Sequence, residues 1–144
     1  MPAGGHEITV DLIPGNSYSQ CLDKLRNEMP EILHFRYRIV TGTGIPNAKA
    51  KKRVTFSNTI SGATFMKDFN LPGSPCRYFF RRSLALEKNI RFPENIFHED
   101  EEFNTILHFH ARTLVHSDAT LYNYCIRKGS TTANNSQEFE TKRI

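Results

Sequence analysis

The stretch ILHFRYRIV, Ile32 to Val40, limits what this chain can fold into more than any other. Its middle alternates apolar and polar residues and sets Phe35, Tyr37 and Ile39 on one face. Its residues are mostly β-formers, so the segment reads as a strand. A strand commits the chain to a sheet. CRYFF, Cys76 to Phe80, reads as a second, short and buried strand, and two more follow the last helix: TLVH, Thr113 to His116, and TLYNYCIR, Thr120 to Arg127, with Ser117 to Ala119 between them.

Helical patterns alternate with these strands. Cys21, Leu22 and Leu25 mark an apolar stripe that Asn16 or Ser17 can cap and that Asn27 and Pro30 end. A short helical pattern follows Gly62, and RRSLALEKN, Arg81 to Asn89, reads as a helix with Asn89 as its C-cap. Pro93 disfavours helix at Phe92, so IRFPENIF is extended or turn-like. HEDEEFNTILHFHA, His98 to Ala111, has the clearest helical period, with Phe103, Ile106, Leu107 and His110 on one face. This order of elements predicts an α/β domain, α+β-like in part, with a mixed sheet and flanking helices.

A chain of 144 residues that is 38% hydrophobic is long and apolar enough for one domain with a core. That domain is expected over residues 1–132, with a polar tail over 133–144. The net charge of +4 suits an anionic partner without choosing one. Cys21, Cys76 and Cys125 are odd in number and make no CxxC pair, which argues against a disulfide framework and for a reducing cytoplasm. No apolar run has the length of a membrane span. Any membrane role is expected to be peripheral.

The acidic cluster Glu99, Asp100, Glu101 and Glu102 can be read in two ways. Acidic residues in a first helical turn complement the helix dipole. The same carboxylates follow an aromatic and proline-rich turn, and at the mouth of a loop one of them can serve as a general base. His98 with Glu99 and Asp100 could touch a metal, but no HExxH spacing occurs. The basic run Lys49 to Arg53 reads as a solvated loop or a phosphate contact, and it lacks the interleaved aromatics that nucleic-acid binding wants. TGTG, Thr41 to Gly44, has no GK[ST] ending, and no GxSxG occurs. Arg127 and Ser130, in the turn after LYNYC, suit an anion such as a pyrophosphate.

Taken in order, these segments resemble the C-terminal half of family 2 glycosyltransferases, which have the GT-A fold. Asn89, Ile90, Phe92, Glu94, Ile96, Glu99, Asp100 and Phe103 match a family phrase of the form N-I-x-F-x-E-x-I-x-x-E-D-x-x-F. Leu121, Tyr122, Tyr124, Arg127 and Ser130 match a second, L-Y-x-Y-x-x-R-x-x-S. ISGATFM, Ile60 to Met66, and the region Asn16 to Val40 complete the likeness, and VDLIPGNSY, Val10 to Tyr18, resembles the sequence just after the family's metal-binding acidic motif. The resemblance implies sugar transfer from a nucleotide-sugar donor to a glycan or lipid-linked acceptor, with inversion. It implies Asp100 as base, Glu99 as its neighbour on the acceptor side, Arg127, Ser130 and His98 toward the nucleotide, and a divalent metal, Mn or Mg, with Asp11 the one acidic residue left to hold it. His116 is a lesser candidate. The family's N-terminal nucleotide-binding half has no counterpart in this chain, so a partial domain with absent or very weak activity is expected. The rival expectation is a non-catalytic module that forms homo-oligomers through exposed sheet edges.

Overall fold

A computed structural model of the chain describes residues 17–40, 56–71, 73–96 and 98–125. The expectations for Asp11, Asn16, Lys49 to Arg53, Arg127 and Ser130 lie outside those residues.

Helix α1 spans Ser17–Glu28. Its apolar stripe turns Cys21 and Leu25 toward the sheet. Asn27 stays helical; the turn comes at Met29, which takes a left-handed φ of 45° while its N–H bonds the Leu25 carbonyl. β1 then runs over Ile32–Val40 and is the middle strand of a three-stranded sheet of order β2-β1-β3. Its first residues pair with both neighbours and are the most buried, so the half of β1 next to the core is covered on both faces.

Helix α2, Gly62–Asp68, starts at a Ser61 cap whose Oγ accepts the Thr64 N–H at 3.0 Å. CRYFF proves to be less of a strand than its composition suggests. Cys76 and Arg77 belong to a 3-10 turn over Pro75–Arg77, and β2 is only Tyr78–Phe80, antiparallel to β1. It is an edge strand, so Tyr78 is buried while Phe79 and Phe80 remain 37% and 38% exposed. Helix α3, Arg82–Glu87, ends slightly earlier than expected, with Lys88 as its C-cap and Asn89 the residue just beyond. Asn89 adopts φ 50°, its N–H bonds the Leu86 carbonyl, and the Ile90 N–H bonds the Ala85 carbonyl, which is a Schellman closure with Ile90 buried beneath it.

Helix α4 spans Glu99–His110 and β3 spans Leu114–Cys125, parallel to β1. The two strands expected around Ser117 to Ala119 are one. Between the pairs His34↔His116 and Arg36↔Thr120, β1 contributes Phe35 alone and β3 contributes Ser117, Asp118 and Ala119. The ladder bulges there and does not break. Ser117 Oγ accepts the Ala119 N–H at 3.3 Å within the bulge, and the Arg36 guanidinium pairs with Asp118 across it.

The sheet separates two apolar clusters. On one face α1 packs Cys21 against Leu33, Phe35, Val115 and Ala119, and the buried Cys21 thiol donates to Ser117 Oγ at 3.2 Å. On the other, α2, α3 and α4 bring Phe65, Leu84, Phe103 and Leu107 onto Ile32, Tyr78 and Leu114. Each large apolar side chain so buried stabilises the fold by roughly 1.5–3 kcal/mol. Glu31 ties the strands at their start. Its N–H donates to Thr113 Oγ1 at 2.9 Å, and its carboxylate accepts the backbone N–H of Arg112.

The buried stripe of α4 is rotated from the one its apolar residues suggest. Phe103, Asn104, Leu107 and His108 face inward, Ile106 is partly covered, and His110 is at the margin. The C-terminal end of α4 also meets the start of α2 at contact distance. A Cβ on Gly62 would lie 1.7 Å from the His108 carbonyl oxygen, so only glycine fits there, and its N–H bonds the Ala111 carbonyl at 2.8 Å.

Candidate functional site

The head of α4 is held by aromatic rings. Phe92, in the extended segment before the helix, stacks on Phe103 with centroids 3.9 Å apart and planes within 8°. Phe80 meets the same ring edge-on at 5.7 Å. The chain turns into the helix through two left-handed residues, Asn95 at φ 61° and His98 at φ 63°. His98 is the N-cap residue but gives no side-chain cap. Its imidazole instead lies 3.7 Å from the Glu101 carboxylate. The first turn is therefore capped by charge, with four carboxylates beside the exposed N–H groups.

Asp100 differs from its acidic neighbours. Glu99, Glu101 and Glu102 are exposed, whereas Asp100 is half-buried. Burial, and then the negative charge of Glu99, push its carboxyl above the usual carboxylate range. It heads a run of positions spaced by four, Asp100, Asn104 and His108, along the inward face of α4.

Behind that run lies a continuous polar seam inside the apolar core. The Tyr78 hydroxyl donates to Asn104 Oδ1. The Asn104 backbone carbonyl accepts from His108 Nδ1 at 2.7 Å, so the proton of His108 sits on Nδ1. That leaves His108 Nε2 as an acceptor, and His34 Nε2–H donates to it at 2.9 Å. These bonds require a neutral His108 ring. Burial lowers His108 to about 4, and burial together with the neighbouring His108 holds His34 well below its ordinary value. Tyr78 is pushed up by burial first and then by the charge of Asp100.

The structure thus brings Glu99, Asp100 and His98 together at one helix end. His116 is elsewhere. It stands opposite His34 in the β1/β3 ladder, against the Phe56 ring at 5.5 Å and 3.3 Å from Asp118. Tyr78, Asn104, His108 and His34 complete the site's supporting wall without having been singled out by sequence; the spacing by four of Asp100, Asn104 and His108 is the signal that could have found two of them. Among the described residues no group of three or more His, Cys, Asp or Glu side chains is placed to hold a metal ion, so the expected cation has no ligand set there. No helix among them is long and apolar enough to cross a membrane.

A half-buried carboxylate of raised basicity at a helix head can hold a hydroxyl group and take its proton. No family model and no curated protein matches the sequence. Solved structures do match the fold. S. aureus TarS 1–349 in complex with UDP-GlcNAc superposes with a TM-score of 0.62 at 17% identity, over 84% of this chain and 34% of that one. TarS 1–349 in complex with UDP gives a TM-score of 0.56 over 76% and 31%, again at 17% identity. This chain spans about a third of the length of those two structures. Its fold is that of a part of TarS.

Proposed function

We propose that the chain is the acceptor-side, C-terminal portion of an inverting family 2 glycosyltransferase of the GT-A type, with Asp100 as its general base. The observation that carries the reading is Asp100 itself. It is the one half-buried carboxylate of the acidic first turn, raised in basicity by burial and by Glu99, on a glycosyltransferase-like fold. An alcohol is a poor nucleophile, so a positioned base must take its proton as it attacks. The acceptor oxygen forms its bond to the anomeric carbon on the face opposite the leaving group. The bond from that carbon to the nucleotide breaks, the nucleoside diphosphate leaves with the electron pair, and the acceptor proton passes to the Asp100 carboxylate. Glu99 orients the acceptor and keeps Asp100 basic.

TarS binds UDP-GlcNAc and UDP in its crystals, so a uridine diphosphate sugar is the first donor class to test here. His98, Arg127 and Ser130 are proposed on the donor side, and a glycan or lipid-linked acceptor in polysaccharide biosynthesis at the cytoplasmic membrane surface completes the reading. A divalent cation, Mn or Mg, is part of it as an expectation, with Asp11 a candidate ligand; no step above runs through the ion. The chain spans about a third of TarS 1–349, and transfer by this chain alone is expected to be absent or very weak.

The test is calorimetric titration of the folded chain with UDP and with GDP, each with and without manganese, followed by sugar-transfer assays. The expected pattern is that any nucleotide binding survives Asp100→Asn and any residual transfer does not. A folded sample that binds neither nucleotide would mean an inactive half, and transfer that survives Asp100→Asn would sink the assignment of the base. A second reading would then lead, because both β2 and β3 are edges of the sheet among the described residues and β2 carries the exposed Phe79 and Phe80. It is a non-catalytic module that pairs through those edges, and a mass that rises with concentration would support it.

A further inference from the structure

Phe92 lies flat on Phe103, with centroids 3.9 Å apart and planes within 8°, yet Phe92 is 45% exposed. Phe103 covers one face of the ring, so its side-chain exposure falls on the other face and the edge. The ring is also held in place. Pro93 restricts the Phe92 backbone to extended conformations, and Phe103 is itself buried and met edge-on by Phe80. Phe103 stands four residues after Glu99 and three after Asp100, the spacings that make neighbours on one side of a helix. Helical side chains lean toward the helix N-terminus, so the Phe103 ring covers the turn that carries those two carboxylates. An outward aromatic face and the first turn of α4 therefore border each other.

That combination is selective. An ionised carboxylate can only accept hydrogen bonds. A purely apolar partner would strip water from the carboxylates and give no donor in return. An anionic partner would meet Glu99, Asp100, Glu101 and Glu102. A pyranose ring fits both features. With its hydroxyls equatorial, its faces present axial C–H groups, which suit the negative face of an aromatic ring, and its hydroxyls radiate from the rim as donors. An organic cation also binds aromatic faces and carboxylates, but it is held best by a cage of several rings. Phe92 offers one flat face, which suits a flat ring. We propose that Phe92 is the stacking platform of an acceptor subsite for a pyranose sugar, with Glu99 accepting from hydroxyls at the sugar's rim. This rests on the acceptor-side reading of the chain, and it narrows the acceptor to a glycan that presents such a ring.

The experiment is an NMR titration of the whole chain, carbon-13 labelled in its phenylalanine rings, with methyl β-D-glucopyranoside and, separately, with sorbitol and with arginine methyl ester. The glucoside should move the Phe92 ring signals, and saturation of the phenylalanine rings should pass first to the axial protons of one sugar face. Sorbitol, which has hydroxyls but no ring, should do neither. Read on the sugar's own signals, Phe92→Leu should weaken glucoside binding about fivefold. Glu99→Gln should weaken it less. Phe109→Leu, which removes an exposed ring at the other end of α4, should leave it unchanged. No response to the glucoside, an equal response to sorbitol, or tighter binding of arginine methyl ester at Phe92 overturns the proposal. So does a folded Phe92→Leu that binds as wild type does. If Phe92→Leu does not fold, the wild-type saturation pattern decides: one sugar face supports the platform, and an even spread defeats it. None of these readings uses sugar transfer. Transfer that survives Asp100→Asn would sink the base assignment and leave them intact, whereas a failed titration would remove the platform and leave the base standing.

Discussion

His34 and His108 face each other through their Nε2 atoms at 2.9 Å, and only His34 can be the donor. The pair joins β1 to α4 at the centre of a ring cluster that includes Phe65, with centroids 4.6 Å from His34 and 5.6 Å from His108. A proton added to His108 Nε2 removes the acceptor and places a charge among aromatic rings.

Acid should therefore weaken the fold through this pair. Both folded-state pKa values lie below the ordinary histidine value, so the unfolded chain takes up protons first as the pH falls. The stabilisation is complete above the ordinary value of 6.5 and is lost as the pH falls from there through about 4 for His108, with His34 adding in the same direction. His108 alone accounts for about 3 kcal/mol over that window. Urea unfolding at pH 7.5 and 4.5 measures the loss, and in the variant His34→Phe, His108→Leu most of it should vanish. An equal acid loss in that variant would assign the effect to other groups.

Gly62→Ala should destabilise the domain on the order of 3 kcal/mol, because the new methyl would lie 1.7 Å from the His108 carbonyl oxygen and the backbone of α4 must move. Chemical denaturation reads this directly. A neutral or stabilising result would mean that α2 and α4 part easily at that point.

At Asn89 the backbone is left-handed, with φ 50°. Asn89→Ala should cost about 1 kcal/mol and Asn89→Gly almost nothing, since the Schellman hydrogen bonds survive in both and only the Cβ strain differs. Equal stabilities of the two variants would argue against strain at this residue.

Glu99→Gln removes the like charge beside Asp100. The Asp100 midpoint should move down toward the usual carboxylate range and stop short of it, because burial, the larger cause, remains. Carbon-13 titration of the carboxyl checks the shift. A midpoint unchanged by the substitution would show that Glu99 does not act on Asp100.

Much of this architecture was legible in the chain. The alternation in Ile32 to Val40 marked the central strand, Asn89 marked the end of α3, and the acidic run marked the head of α4. Local signals sufficed because caps and periodicity are local. The inward face of α4 was misread for a physical reason. Asn104 and His108 look like surface residues, and their partners, Tyr78 and His34, lie 26 and 74 positions away in sequence. A buried polar residue is recognisable only once its partner is known. The break at Ser117 to Ala119 was real but belongs to a bulge, whose existence depends on the partner strand β1. The exposed faces of Phe79 and Phe80 likewise follow from β2 standing at the edge, which composition does not encode.

The parallel pairing of β1 with β3 also sets a schedule. Glu31 and Thr113, which fasten the start of that pairing, are 82 positions apart, and the elements between them must be made before the strands can meet. During synthesis β1 leaves the ribosome early and waits with its longer neighbour absent, able to form only the three-residue pairing with β2 once that emerges. Closure of so long a loop is costly before it is rewarded, so folding of this domain should be slow and should begin late, after β3 is free.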